Sequence, residues 1–243
     1  ASLLGRSEKL DIFKAAFITC IASCIAAYDD THLATVIHPT GPVASTILAL
    51  AEHRKIAGSD FLHALILGVE AQCRLARALA VAPAKCDAAW FLTGITGGIG
   101  AAIAAARLLG LNEQQMVWAI GAAAARASGT RETHGTMGKN LVPAWTAEEG
   151  LQSAFLARQD FTTSDTILEG PRGLGHLYTR EANFPPLIAG LGEHWELTQN
   201  AYKPFPSGIV THGAITGALE IAQEWRPDPW AIRRVELEVH PWC

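Results

Sequence analysis

Apolar residues recur along this chain at helical spacing, and the breaks between them fall on glycine, proline and small polar residues. Cys20 and Cys24 stand one turn apart on an apolar, helix-like stretch and read as small core residues rather than ligands. Pro42 opens a first strong helix to about Lys55, since a proline in the first turn gives up an N–H that has no partner there. Gly58 is a stop, and Ser59 and Asp60 offer an N-cap for a second helix to about Leu79. Within it Leu62, Leu65, Ile66, Val69 and Cys73 recur at three- and four-residue steps, which predicts one buried face.

A third helix is predicted over about 97–109. Gly97, Gly98, Gly100, Ala101, Ala104 and Ala105 leave it little side-chain volume, so neighbouring backbones can approach closely and its place is the centre of a bundle. Gly110 ends it, and Asn112 with Glu113 caps the next helix, to about Ser128. Further helices are expected over about 144–158 and 211–225, with turns at 160–164 and 168–173 and a short start at Pro185-Pro186. Only from Arg233 to His240 does the pattern alternate polar and apolar, which predicts a half-buried strand. Pro227-Asp228-Pro229 marks a boundary. The expectation is an all-α, multihelical domain over 1–226, then a linker and the first strand of an incomplete α+β domain over 227–243.

Composition narrows the classes. Hydrophobic residues are 49% of the 243 and charged residues 17%, the reverse of a disordered chain. A net charge of −4 offers no general nucleic-acid surface, which calls for a basic stripe. No apolar run approaches the ~18 residues of a membrane span, so no membrane partner is expected. No signal peptide is expected, since Ala1-Ser2-Leu3-Leu4-Gly5-Arg6 lacks the basic, apolar, small-residue order. The chain starts at Ala1 rather than Met, which suggests a processed or partial chain. Five scattered cysteines, Cys86 and Cys243 among them, read as free thiols in a reducing cytoplasm.

Three polar clusters could carry chemistry. The first is Tyr28-Asp29-Asp30-Thr31-His32 followed by His38-Pro39-Thr40-Gly41-Pro42, where acids, a hydroxyl and imidazoles gather within a few residues of one another. Proton transfer needs an acid and a base with separated pKa values, and this cluster could supply them. Equally open is an aspartate N-cap with two surface histidines. A metal site is the weaker reading, because the spacing is not that of a zinc motif. The second cluster runs from Gly129 to Asn140 and holds His134 and Lys139. It could hold a carboxylate or phosphate, or be a solvated surface loop. It lacks the register of a P-loop. The third is Tyr202-Lys203-Pro204-Phe205-Pro206 with His212 beyond it. Two prolines stiffen the segment after Lys203, and a plain connector is the alternative. No C-x-x-C pair suggests an iron–sulfur cluster.

Taken together, these residues resemble the MmgE/PrpD family. The resemblance also rests on Ala49-Leu50-Ala51-Glu52, Gly68-Val69-Glu70, Ala106 to Leu111, Ser128-Gly129 and Gly135 to Lys139. It implies a helical domain carrying most of an active site, a smaller domain closing over it, a homodimer and no metal; no other cofactor is expected either. It implies catalytic positions at Asp30, Thr31, His38, Lys139 and Lys203. Substrate-binding positions are implied at Asp29, His32, Trp90, Thr93, His134 and His212. The physics agrees: removing a proton beside a carboxylate builds negative charge, which lysines stabilise.

Three positions depart from the family pattern: Ala27 replaces an aspartate, Cys24 a histidine, and Phe91 the histidine of Gly-Trp-His-x-Thr. The activity implied is a metal-independent lyase of the 2-methylcitrate dehydratase type acting on a small di- or tricarboxylate. The alternatives are an iminodisuccinate-like epimerase, a cis-aconitate-type decarboxylase, and a non-catalytic carboxylate-binding or assembly protein. The leading reading expects Thr31, His38, Lys139 and Lys203 to face one cavity, with Trp90 and Phe91 on one wall.

Overall fold

The computed structural model describes residues 1–79, 89–179 and 181–239. The long helices are α1 (Ile12–Ile25), α2 (Thr40–His53), α3 (Gly58–Leu79), α4 (Leu92–Leu109), α5 (Glu113–Ala124) and α6 (Leu141–Arg158). Short helices α7 (Leu174–Tyr178) and α8 (Pro185–Ile188) follow, and α9 (His212–Trp225) comes last. A two-residue antiparallel pair joins β1 (Thr31–His32) to β2 (Asn200–Ala201), with Thr31 opposite Ala201 and His32 opposite Asn200. The fold is all-α, as the periodicity predicts.

α4 is the centre of the bundle and packs on α2, α3, α5 and α6. Its glycines make this possible. A Cβ on Gly68 of α3 would lie 2.7 Å from the Gly100 carbonyl oxygen, and one on Gly100 would lie 2.6 Å from that of Gly68. α4 begins five residues earlier than the small-residue pattern suggests, because Leu92, Thr93 and Ile95 are buried with the rest of it. At 18 residues it is long and apolar enough to cross a bilayer, contrary to the expectation that no segment would be. Here 83% of it is buried inside the protein, so its apolar character serves packing.

Gly110 ends α4 in the left-handed conformation at φ 71°, and Asn112 and Gln115 cap α5 reciprocally. α6 starts at Leu141 rather than near Ala144, because a 3₁₀ turn at Met137–Asn140 feeds directly into it. In α3 the buried face is Ala64, Gly68, Val69, Gln72 and Cys73, while Leu62 is 58% exposed. The expected stripe is therefore rotated slightly at its start.

Buried Arg74 of α3 ties down the chain that leads to β2. It pairs with Glu70 at 2.5 Å and donates to the carbonyls of Ala189 at 2.8 Å and His194 at 2.7 Å, while Glu70 accepts from Leu197 N–H at 3.0 Å. The end of the chain is different. No residue of α9 is buried, and residues 232–239 form no ladder with any described residue. Val235, Leu237 and Val239 stay exposed, because a strand takes its hydrogen bonds from a neighbour and none of the described residues provides one. His240, Cys86 and Cys243 lie outside the described residues, while Cys20, Cys24 and Cys73 are buried free thiols.

Candidate active site

β1 is short, but its alternation sorts the first motif. Thr31 and His32 are both fully buried and point to opposite sides. His32 Nδ1 meets Thr35 Oγ1 at 2.8 Å and its Nε2 meets Glu196 at 3.1 Å. Glu196 also binds Arg77. Burial lowers the His32 pKa, against the pull of Glu196. Thr31 faces His38 instead, with Oγ1 at 3.2 Å from Nδ1.

The acid pair divides. Asp30 accepts from Thr40 N–H at 3.1 Å, Thr40 Oγ1 at 2.7 Å and Asn200 Nδ2 at 2.8 Å, so it fixes the start of α2 and joins it to β2. Burial raises its pKa, against the Thr40 hydrogen bonds. The alternative of an aspartate N-cap with two surface histidines does not hold: Pro39 is the N-cap of α2, Asp30 reaches the first turn from ten residues away, and His32 is fully buried. Asp29 goes elsewhere. Its Oδ1 receives Lys203 Nζ at 2.6 Å, and its Oδ2 lies 3.3 Å from His38 Nδ1 and 3.7 Å from Lys139 Nζ. Burial works against ionisation of Asp29, but His38, in the acid range where it is protonated, together with Lys203 and Lys139 outweighs it and holds the carboxyl below its ordinary value.

His38 is the centre of this cluster. Its backbone N–H donates to Thr93 Oγ1 at 3.1 Å. Its Nδ1 lies 2.8 Å from the Asp30 carbonyl oxygen, which can only accept. The proton therefore resides on Nδ1, and Nε2 carries a lone pair with no hydrogen-bond partner among the described residues. Burial lowers the His38 pKa to about 4; Asp29 opposes this, and Lys203 and Lys139 add to it. At neutral pH the ring is a neutral base.

Phe91 is buried edge-on to His38, with centroids 6.4 Å apart, and edge-on to His134 at 4.8 Å. His134 is exposed and held by the Arg131 carbonyl at 2.9 Å. Trp90 stacks edge-on to Tyr178 at 4.6 Å. His212 contacts Phe205 and the Ser207 carbonyl, with no contact to the Asp29 cluster among the described residues. The fold thus brings Asp29, Thr31, His38, Thr93, Lys139 and Lys203 together, and His32, Trp90 and His212 face other partners. A cavity of about 990 Å³ reaches Asp29, Asp30, Thr40 and Asn200 and is otherwise walled mainly by apolar residues of α1, α2 and α3. The four expected residues and the Trp90–Phe91 pair are not among its walls. Glu196 and Asn200 help position the site, yet no spacing in the sequence marks them; Glu70 and Arg74 stand i, i+4 on α3, but nothing local shows which segment they tie down.

An all-α domain that gathers two lysines, a histidine and a buried carboxylate into one cluster is a wall suited to carboxylate chemistry. Residues 1–187 match the MmgE/PrpD N-terminal domain, and the chain belongs to this family. It is 31% identical to the cis-aconitate decarboxylase of Homo sapiens over 216 residues, which cover 85% of this chain and 44% of that protein. The Mus musculus cis-aconitate decarboxylase is 31% identical over 231 residues, 91% of this chain and 46% of that protein. The Aspergillus terreus cis-aconitate decarboxylase is 27% identical over 239 residues, 93% and 48% respectively. The chain spans about half the length of the curated relatives it matches.

Proposed function

We propose that the protein is a lyase that removes a proton beside a carboxylate of a small di- or tricarboxylate and expels water, in the manner of a 2-methylcitrate dehydratase. The observation that supports this most directly is the His38 ring: Nδ1 is held as the donor, Nε2 has no hydrogen-bond partner among the described residues, and the ring is neutral above about pH 4. A base in that form accepts the proton through Nε2. As the C–H bond breaks, its electron pair moves toward the substrate carboxylate, and the ammonium groups of Lys139 and Lys203 lower the energy of that charge. The pair then returns to form the C=C bond as the C–O bond on the neighbouring carbon breaks, and the hydroxide leaves as water with the proton that His38 took. Asp29 stabilises the imidazolium from the Nδ1 side.

The names of the relatives favour a second reading, decarboxylation of a cis-aconitate-like substrate. There the carboxylate leaves as CO2, its electron pair stays on carbon, and the wall must then supply a proton; Lys139 is the more exposed of the two ammonium groups. Epimerisation fits less well, because it needs a base on each face of the carbon and Phe91 offers none.

The test supplies 2-methylcitrate and cis-aconitate to the whole protein in deuterated water, with products followed by NMR. Loss of water from 2-methylcitrate is the expected result. Release of CO2 from cis-aconitate selects the second reading. No exchange at any α-carbon and no CO2 would remove both.

A further inference from the structure

We infer that Asp29 is a positioning residue, an internal counter-ion that commits Lys203 to the protein and leaves Lys139 as the ammonium that receives the substrate carboxylate. The inference rests on the polycarboxylate reading above and deepens it by dividing the roles of the two lysines.

The geometry is asymmetric. Lys203 is locked: its side chain is 2% exposed and its Nζ lies 2.6 Å from Asp29 Oδ1. Lys139 is 18% exposed, and at 3.7 Å from Oδ2 it is beyond hydrogen-bond distance. Asp29 Oδ2 accordingly has no hydrogen bond among the described residues although it is buried. A buried carboxylate oxygen left in that state is costly unless positive charge stands near it. Here it faces the His38 Nδ1–H at 3.3 Å and the Lys139 ammonium.

Around His38 stand Asp29, Lys139 and Lys203, the Asp30 backbone, the Thr31 hydroxyl and the uncharged ring of Phe91, with His134 beyond Phe91. Asp29 is spent on Lys203 and the neighbouring Asp30 carboxyl on Thr40 and Asn200, so with His38 neutral the Lys139 ammonium is left without a hydrogen-bonded partner among the described residues. It can therefore take one substrate carboxylate without leaving a charge uncompensated. A second carboxylate on the substrate has to find its cation outside this cluster. Asp29 also repels any carboxylate brought against it, so it is not itself a ligand for the anion.

The test uses citrate as the probe and the whole protein labelled with ¹⁵N, so that lysine ammonium signals can be followed. In the wild type, citrate should shift the Lys139 signal and leave that of Lys203 in place. Movement of Lys203 equal to or greater than that of Lys139 overturns the inference. Asp29→Asn removes one negative charge from the cluster. Citrate should then bind about fivefold tighter or more, the effect of one unit charge at roughly 4 Å even in the dielectric of water. Turnover should fall, because His38 has lost its counter-ion. A structural defect would instead weaken binding and turnover together, and weaker or unchanged citrate binding by a folded Asp29→Asn protein overturns the inference.

If Asp29→Asn does not fold, the double variant Asp29→Asn with Lys203→Met removes both partners and restores the wild-type charge. It should bind citrate within about twofold of the wild type, and a loss of binding overturns the inference. A wild type that binds no citrate and turns over no polycarboxylate defeats the functional reading instead. The ammonium signal of Lys203 still reports on the lock in that case: it should shift or vanish in Asp29→Asn, and an unchanged signal overturns the inference.

Discussion

His38 shows how far a single side chain depends on its surroundings. A free imidazole titrates near 6.5, whereas burial takes this one to about 4. The acid limb of kcat/KM should therefore fall near pH 4 rather than near 6.5, which a pH–rate profile of the whole protein would reveal. His38→Gln should lower kcat by about 10²–10⁴-fold with little change in melting temperature. Gln72 presents a different case. It is fully buried and neither amide atom has a hydrogen-bond partner among the described residues. Replacing it with Leu should stabilise the fold by about 1–3 kcal/mol, and a lower urea midpoint in Gln72→Leu would reveal a partner for that amide. At this scale the sequence was informative about residue type. Asp29, Thr31, His38, Lys139 and Lys203 stood in motifs with the right chemistry, but nothing in the motif could say that one acid of the pair fixes a helix start and the other neutralises a lysine.

At the scale of elements, the glycine and alanine content of α4 announced close packing, and the Gly68–Gly100 approach is its consequence. Gly68→Ala forces a methyl group against a backbone carbonyl, so it should cost about 1–3 kcal/mol, measurable by denaturant unfolding. A fall of less than a few tenths of a kcal/mol would mean that α3 and α4 separate easily. Arg74→Met leaves Glu70 buried without its partner and frees the carbonyls of Ala189 and His194. A loss of about 3–5 kcal/mol is expected, together with weaker substrate binding, because the strap that leads to Lys203 is released. The helical period was legible because it is local. The strap was not, since Arg74 and His194 meet only after the chain has crossed the bundle.

For the molecule as a whole, acid sensitivity follows from the buried histidines. Between about pH 6.5 and 4 the unfolded chain binds a proton at His38 that the folded chain does not, so stability falls as pH drops through that window. The limit for this one group is about 3 kcal/mol. His32, also lowered by burial, acts in the same direction. Asp29, held below its ordinary value, adds a loss at still lower pH, and Asp30, raised by burial, acts the other way. Urea midpoints should be lower at pH 4.5 than at pH 7, and His38→Gln should flatten part of that slope. Equal midpoints at the two pH values would contradict this account.

By itself the sequence determined the helical class, the close-packed central helix, the caps at Gly110 and Asn112 and the motifs that hold the reactive groups. Each of these depends on residues near one another along the chain, where steric preference and periodicity act directly. Gly58, Ser59 and Asp60, read as a stop and an N-cap, lie instead inside the first turn of α3. Tertiary structure decided which groups meet. Asp29 lies 174 positions from Lys203, and their contact at 2.6 Å exists because β1 pairs with β2 and Asn200 binds Asp30. Tertiary structure also turned His32 away from His38 and placed the apolar ring of Phe91 beside the base, since side-chain direction and burial are set by the packed neighbours rather than by spacing along the chain.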